Sequence, residues 1–200
     1  MWNKIKEHVS SEGIGSIFKY GYRYCLSKAT PSIMNIVNRM IPRHSIVFSH
    51  FDGKAYGGNP AIICDEIIRK RLPYTLIWIV DSRYKTSLPK GVKYVPVKSL
   101  RQVIALARAK VWIDDCRKSS SFRKSASQYY IQTWHGGGPC LKKVEKDAEN
   151  QLPPTYISDA KQDSSMANLF LSACEWRTNN YRHAFWYNGE INVCSWCSTF

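Results

Sequence analysis

Short apolar runs alternate with helix-type segments from residue 46 onward, and this alternation constrains the fold more than any other feature of the chain. Ile46–Ser49, Thr75–Val80 and Val111–Ile113 are unbroken apolar runs, which are typical of strands buried on both faces. Ala61–Arg71 and Leu100–Ala109 lie between these runs and have the pattern of helices. Strands that alternate with helices form a parallel sheet covered by helices. We therefore predict an α/β fold with a Rossmann-like parallel sheet.

The same pattern continues to about residue 190. Tyr94–Val97, Tyr129–Thr133 and Leu169–Ser172 are further predicted strands, and Glu175–Phe185 is a predicted helix. Leu152–Ser158 contains a proline pair and is predicted to be a loop.

Polar residues follow several of the predicted strands. Ser49–His50, Asp81–Ser82, Asp114–Asp115 and His135 all fall at strand ends. In parallel sheets, ligands bind outside the carboxyl ends of the strands, so these positions are candidates for a site. A solvated loop is the default interpretation of His50, and an Asx-type turn is an equal alternative for the aspartate pair.

The segment 132–143 combines the ingredients of a phosphate site. His135 can take a proton from an attacking hydroxyl, and the glycines that follow it let the backbone approach a ligand closely. Pro139 suits the first turn of a helix predicted over Leu141–Asn150, and the positive end of that helix attracts phosphate. Asn59 precedes Pro60 as the predicted N-cap of an earlier helix. The predicted phosphate- or substrate-binding residues are Gly136, Gly137, Gly138, Lys142, Lys143 and Asn59.

Simpler interpretations of the same residues stay open. His135 can be a turn histidine with a satisfied hydrogen bond, and Lys142 and Lys143 can form an ordinary solvated face. Cys194 and Cys197 have the spacing of a redox or zinc pair, but the chain has no second such pair, so we predict no metal site.

Residues 1–43 have a different character from the rest of the chain. Apolar residues recur at helical spacing with lysines and arginines between them, which predicts two or three short helices broken near Gly13–Gly15 and at Pro31. A basic amphipathic segment suits an anchor that lies on a membrane surface, and a helical hairpin packed on its own domain is an equal alternative.

Composition limits the class of partner. The net charge of +14 favours a polyanion such as an anionic lipid or a phosphate-rich substrate. No nucleic-acid-binding motif accompanies that charge, so we expect no nucleic-acid partner. Seven cysteines, an odd number and mostly scattered, predict reduced thiols in a cytosolic setting.

The motif at 132–143 resembles the signature of the CDP-glycerol glycerophosphotransferases, which build teichoic acids and related polyol-phosphate polymers. Gln132–Pro139 is followed by Leu141–Lys143 and then by Glu145–Asp147, as in that signature. Supporting similarity lies at 46–49, 57–60, 111–115 and 170–172. The resemblance implies the N-terminal Rossmann-like domain of a GT-B architecture, preceded by basic amphipathic helices at the cytoplasmic face of the cell membrane, where the protein is peripheral.

The resemblance also implies an activity. Members of the family transfer glycerol phosphate, or a related polyol phosphate, from a CDP-linked donor to a hydroxyl of a lipid-linked acceptor. His135 then corresponds to the general base, and Asp147 orients the loop or the histidine. The implied partners are CDP-glycerol or a similar CDP-polyol, the lipid-linked acceptor and an anionic membrane surface, and no cofactor is implied.

The end of the chain departs from the family pattern. Residues 191–200 are an atypical tail, and the donor-binding half of the family has no counterpart before Phe200. We therefore predict an N-terminal segment over 1–43, an acceptor-side domain over 44–190 and a truncation point within 191–200, with the chain inactive alone. The alternatives are a truncated, non-catalytic protein that binds membranes or polyanions, and a GT-B glycosyltransferase that uses a nucleotide sugar.

Overall fold

The computed structural model describes the backbone of residues 14–135 and 146–193, and side chains over 17–135 and 149–193. Its helices and strands follow one another in the order α1 (Ile14–Val37), β1 (Arg43–Ser49), α2 (Gly58–Arg69), β2 (Thr75–Val80), β3 (Lys93–Pro96), α3 (Leu100–Arg108), β4 (Ala109–Asp114), β5 (Tyr129–Gln132), α4 (Pro154–Met166), β6 (Leu169–Ser172), α5 (Glu175–Ala184) and β7 (Glu190–Val193). Two 3-10 helices, Ser82–Ser87 and Lys146–Gln151, lie between them.

The seven strands form one sheet in the order β3-β2-β1-β4-β5-β6-β7, and every adjacent pair is parallel. This confirms the predicted Rossmann-like α/β fold. The strand order reverses between β1 and β4, so the crevice where such sheets bind ligands lies at the ends of these two strands.

Apolar cores cover both faces of the sheet. One core contains Val47, Ile79 and Trp112, together with residues of α1 and α3. The other contains Phe48 and Trp78, together with residues of α2. Because successive side chains of a strand point to opposite faces, two covered faces require the unbroken apolar runs seen in the sequence.

Helix α1 corrects the prediction of a break at Pro31. The helix is 24 residues long and is not interrupted at this proline. Proline removes a backbone hydrogen bond and costs about 3 kcal/mol in a helix interior. Packing offsets this cost: Met34 is fully buried in the first core, and Thr30 on the preceding turn is buried too. The C-terminal half of α1 is therefore part of the domain's packed structure. Of the break predicted near Gly13–Gly15, Gly13 lies outside the described residues, and Ile14 and Gly15 belong to the first turn of α1.

Three other expectations need correction. Leu152–Ser158 is not a loop, because α4 begins at Pro154 with proline in its first turn. Residues 191–193 belong to β7, which pairs with β6 as an edge strand, whereas the sequence indicated no ordered element there. The helix predicted over 141–150 is described only from Lys146, where a 3-10 helix begins. The remaining tail, 194–200, lies outside the described residues.

Within the described ranges, none of the helices has the length and apolar character needed to cross a membrane.

Candidate active site

Two polar residues meet where the strand order of the sheet reverses. His50 follows β1, and Asp115 follows the neighbouring strand β4. The Nδ1–H of His50 donates to Oδ2 of Asp115, and the backbone N–H of Phe51 donates to Oδ1 at 3.0 Å. The Asp115 side chain is 1% exposed. A buried carboxylate with two donors is held in one orientation, so His50 and Asp115 form a fixed pair at the crevice.

His135 joins this pair from the next strand. Its Nδ1–H donates to the backbone carbonyl oxygen of Asp115. The ring stacks against Trp134, with centroids 4.8 Å apart, and contacts Phe51 at 4.7 Å. Because the Nδ1 proton is used in this bond, the neutral imidazole carries its lone pair on Nε2. The side chain is therefore oriented as a general base needs to be.

The backbone around His135 is strained. Phe51, Asp52 and Trp134 have φ values of 43°, 55° and 51°, which place three non-glycine residues in the left-handed region. Such residues cost about 1–3 kcal/mol each and are concentrated at functional sites. The backbone N–H of Trp134 donates to Oε1 of Gln132 at 2.9 Å, which holds the strained turn.

The start of α2 is shaped around the His50–Asp115 pair. Gly58 has φ +62°, and a Cβ there would lie 2.7 Å from the His50 ring and 3.1 Å from Oδ2 of Asp115. Asn59 is not the N-cap of this helix, since Gly57 occupies that position. The Asn59 amide instead donates to the carbonyls of Thr133 and Trp134 at 3.3 and 3.4 Å. Asn59 therefore braces the loop that presents His135.

A buried polar network lies beneath the site. Lys118 forms an ion pair with Asp114, and the backbone N–H of Lys118 donates to Asp163 at 2.8 Å. Asp163 also accepts hydrogen bonds from the Tyr130 hydroxyl at 3.0 Å and from the Gln132 amide at 3.4 Å. Burial lowers the pKa of Lys118 to about 8 and raises the pKa of Asp163. Strands β4 and β5, helix α4 and the loop that follows β4 are tied together in this way.

Asp114 and Asp115 have different roles. Asp114 accepts from the backbone N–H of Cys116 at 2.9 Å, which is the Asx-type turn left open by the sequence, and it pairs with Lys118. Asp115 faces His50 and so belongs to the site. The sequence offered these interpretations as alternatives for the pair, and each residue adopts one of them.

Potential metal ligands also meet here. Asp115, Cys116 and His135 each offer one ligand atom, and these atoms lie within 4.8 Å of one another. However, both carboxylate oxygens of Asp115 and Nδ1 of His135 already have hydrogen-bond partners. Burial raises the pKa of Cys116 to about 12, which opposes the thiolate that a metal requires. In the described part of the chain, this cluster is better suited to hydrogen bonding than to metal binding.

The predicted site residues are only partly covered by the described ranges. His135 and Asn59 are described, and Asn59 contacts the two residues that precede His135. Gly136, Gly137, Gly138, Lys142 and Lys143 lie outside the described residues. Asp147 lies in the 3-10 helix Lys146–Gln151, and only its backbone is described.

His50 is a functional candidate that sequence reasoning undervalued. The sequence placed it at a strand end beside a glycine-rich loop, and a solvated loop was the default interpretation. What identifies it is the adjacency of β1 and β4, which brings it onto Asp115.

Comparison with known proteins settles the family. The model of the CDP-glycerol:poly(glycerophosphate) glycerophosphotransferase family matches residues 32–193. The chain belongs to this family.

Curated relatives of this glycerophosphotransferase-family chain are teichoic acid enzymes. The teichoic acid poly(glycerol phosphate) polymerase of Bacillus subtilis (strain 168) is 28% identical over 170 residues, which are 82% of this chain and 22% of the relative. The teichoic acid glycerol-phosphate transferase of Staphylococcus aureus (strain NCTC 8325 / PS 47) is 28% identical over 156 residues, which are 75% of this chain and 39% of the relative. The chain thus spans well under half the length of these relatives.

Solved structures of the wall teichoic acid polymerase TagF share the fold. A histidine-to-alanine variant of TagF superposes with a TM-score of 0.73 at 23% identity, covering 90% of this chain and 47% of that one. A histidine-to-asparagine variant of TagF soaked with CDP-glycerol gives a TM-score of 0.70 at 22% identity, covering 88% of this chain and 48% of that one. This chain therefore shares the fold of part of TagF.

Proposed function

We propose that this chain takes part in the transfer of glycerol phosphate, or a related polyol phosphate, from a CDP-linked donor to a hydroxyl of a lipid-linked acceptor. Its family and its teichoic acid relatives support this reaction class. The observation that carries the proposal is the orientation of His135, whose Nδ1 proton is held by the Asp115 carbonyl at the crevice of the sheet.

The proposed chemistry needs one base on the acceptor side. The acceptor hydroxyl oxygen attacks the phosphorus of the glycerol phosphate group, and its proton passes to Nε2 of His135. The bond between that phosphorus and the bridging oxygen breaks, and CMP leaves with the electron pair. Reactions of this type depend mainly on positioning and charge neutralisation. The hydrogen bonds from His50 and from the Phe51 N–H hold Asp115 in place, and the backbone carbonyl of Asp115 holds His135.

Roles for residues outside the described ranges are part of the same proposal. The segment 136–138, with Lys142 and Lys143, binds phosphate oxygens, and Asp147 orients the loop or the histidine. Asn59 contributes by holding the carbonyls that precede His135, which is supported by its two hydrogen bonds.

The donor class can be tested directly with the protein that contains this chain. Nucleotide release is measured with CDP-glycerol, with a CDP-linked larger polyol and with UDP-glucose, each with and without a polyol-phosphate acceptor. We expect acceptor-dependent CMP release from a CDP-polyol. Release from UDP-glucose alone would instead support the glycosyltransferase alternative.

We also propose that α1 lies on an anionic membrane surface at the cytoplasmic face. Away from the side chains that face the sheet's carboxyl end, α1 exposes Phe18 (76%) and Tyr22 (51%) among cations that include Lys19 and Lys28. Exposed aromatic residues interleaved with basic ones suit the interface of an anionic bilayer. This placement would bring a lipid-linked acceptor close to the sheet.

A further inference from the structure

A large cavity lies beside the site, between α1 and the carboxyl ends of the strands. Its volume is about 1000 Å³. Tyr20, Arg23 and Tyr24 of α1 form one wall. The opposite wall consists of segments that follow β1, β2, β3 and β4. This volume is at the upper end of the ~300–1,000 Å³ typical of small-molecule sites, so it can hold an extended ligand.

The lining of this cavity is rich in cations. Six basic side chains line it, against the three acidic ones Asp52, Asp81 and Asp159; the basic residues are Arg23, Lys54, Arg83, Lys98, Arg117 and Lys118. Arg83 is paired with Asp81, and Lys118 with Asp114. Arg23, Lys54 and Lys98 form no ion pair with any residue in the described part of the chain. An anionic ligand would give these three cations a partner.

The distribution of the three cations indicates which kind of anion fits. Arg23 lies on α1, Lys54 follows β1, and Lys98 follows β3. A diphosphate concentrates its charge and is best held by a cluster of donors. A chain of phosphodiesters carries one charge per repeat and is best held by cations spread along a cavity. Arg23 lies on one wall, and the two lysines lie on adjacent loops of the opposite wall. Cations on both sides of the cavity favour a phosphodiester chain that runs between them.

Hydroxyl groups complete the lining. Ser27, Ser119 and Ser121 contribute hydroxyls, as does Tyr156. Hydroxyls both donate and accept hydrogen bonds, so they can bind the free hydroxyls of a polyol as well as phosphate oxygens. A sugar-free, polyol-based phosphodiester presents both kinds of group.

The cavity reaches the neighbours of His135. Asp52 and Lys118 belong to its lining. Asp52 lies near Cys116, because its carboxylate contributes to the raised pKa of that thiol. The Cys116 Sγ is 3.6 Å from Nδ1 of His135. A chain that occupies the cavity would therefore reach residues that adjoin the His135 ring.

We propose that this cavity binds the polyol-phosphate chain of the acceptor, with Arg23, Lys54 and Lys98 as its phosphodiester contacts. The inference rests on the proposed function, because it assigns the acceptor to a place separate from that of the CDP-linked donor.

The test is binding of glycerophosphoglycerol, a soluble phosphodiester of two glycerols, measured by calorimetry with the whole chain. The variant Lys54→Gln/Lys98→Gln removes two of the three cations. The matched control Lys90→Gln/Lys93→Gln makes the same charge change at exposed positions, and Lys93 lies at the amino end of β3, away from the carboxyl ends that face the cavity. We expect the first variant to weaken binding about tenfold or more and the control to leave it nearly unchanged. Equal binding by both variants, or no binding by the unmodified chain, would overturn the proposal.

Three further arms identify the source of the anion. Inorganic phosphate, CDP-glycerol and phosphatidylglycerol vesicles are titrated into the same variants. Binding of the vesicles but not of glycerophosphoglycerol would show a membrane-surface effect and overturn the proposal, as would competition between CDP-glycerol and glycerophosphoglycerol. We expect inorganic phosphate to bind more weakly than the diester.

The failure of this inference can be told apart from the failure of the proposed function. His135→Asn should leave glycerophosphoglycerol binding intact while it removes transfer. Loss of binding in Lys54→Gln/Lys98→Gln together with full transfer in His135→Asn would keep the cavity assignment and reject the catalytic one.

Discussion

Gly58 shows how closely single residues are fitted at the site. Its φ of +62° is accessible to few other residues, and a Cβ would collide with the His50 ring at 2.7 Å. The ring cannot move away without breaking its bond to Asp115. The requirement for glycine thus comes from the backbone and from the His50–Asp115 pair together.

Replacement of Gly58 by alanine should displace His50 and lower the free energy of unfolding by about 1–3 kcal/mol. Chemical denaturation measures the stability. Gly91→Ala is the matched control, because Gly91 has φ +91° and a methyl group added there would meet nothing within 4 Å in the described part of the chain. A loss no larger in Gly58→Ala than in Gly91→Ala would show that His50 does not constrain this position.

Asp163 is the second residue whose environment makes a prediction. Burial raises the pKa of its carboxyl above the ordinary 3.8. The folded state therefore holds this proton more tightly than the unfolded chain does. A group of this kind contributes stability below its unfolded pKa and loses that contribution as the pH rises through its folded pKa.

Asp163→Asn should lower the free energy of unfolding by about 1–3 kcal/mol at neutral pH. The reason is that an amide cannot accept hydrogen bonds from all three donors around Asp163. As the pH is lowered towards 4, the unmodified chain should gain stability relative to this variant. Denaturation at a series of pH values measures the difference. Asp159→Asn is the control, since the Ser120 N–H donates to its Oδ1 at 2.7 Å and an amide oxygen can accept that bond equally well. A difference between wild type and Asp163→Asn that narrows on acidification would contradict the raised pKa.

At the scale of elements, strands and helices with a clear apolar pattern could be predicted from the sequence, and those without one could not. The runs at 75–80 and 111–113 are apolar because two cores cover the sheet, and both were placed within two residues. Helix α4 was missed because its buried residues, Ala160, Asp163 and Ser164, form no apolar stripe. The pairing of His50 with Asp115 could not be predicted, because it depends on β1 lying beside β4. The order of strands in a sheet does not follow from the local sequence pattern.

Helix α1 carries the prediction that belongs to this scale. Deleting residues 1–43 would also remove Met34 from the core, so a point variant is a cleaner test of membrane contact than a truncation. Phe18→Ser should lower binding to phosphatidylglycerol vesicles by about tenfold or more, since burial of one phenylalanine contributes about 1.5–3 kcal/mol. Flotation measures the bound fraction.

Trp176 on α5 provides the control for that experiment. It is 55% exposed and lies outside α1, so Trp176→Ser removes an exposed aromatic side chain elsewhere. Equal loss of vesicle binding in the two variants, or no loss in Phe18→Ser, would rule out α1 as the contact.

For the whole molecule, the strand order and the net charge together indicate that the functional site lies at the carboxyl ends of the strands. The order β3-β2-β1-β4-β5-β6-β7 places the crevice at β1 and β4, and His135 enters it from β5. The net charge of +14 suits polyanionic substrates and surfaces. The family was predicted from the motif at 132–143, of which only the first four residues lie in the described ranges.

The central claim is that His135 is the base of a glycerol-phosphate transfer. The most direct measurement is the initial rate of CMP release from CDP-glycerol in the protein that contains this chain. His135→Asn keeps a donor for the Asp115 carbonyl and removes Nε2. His44→Asn is the control, because His44 lies at the start of β1 and its Nδ1 contacts the carbonyl of Pro73 at 2.9 Å. We predict that His135→Asn lowers the rate by about 10²-fold or more with folding intact, while His44→Asn changes it little. A wild-type rate in His135→Asn would contradict the claim.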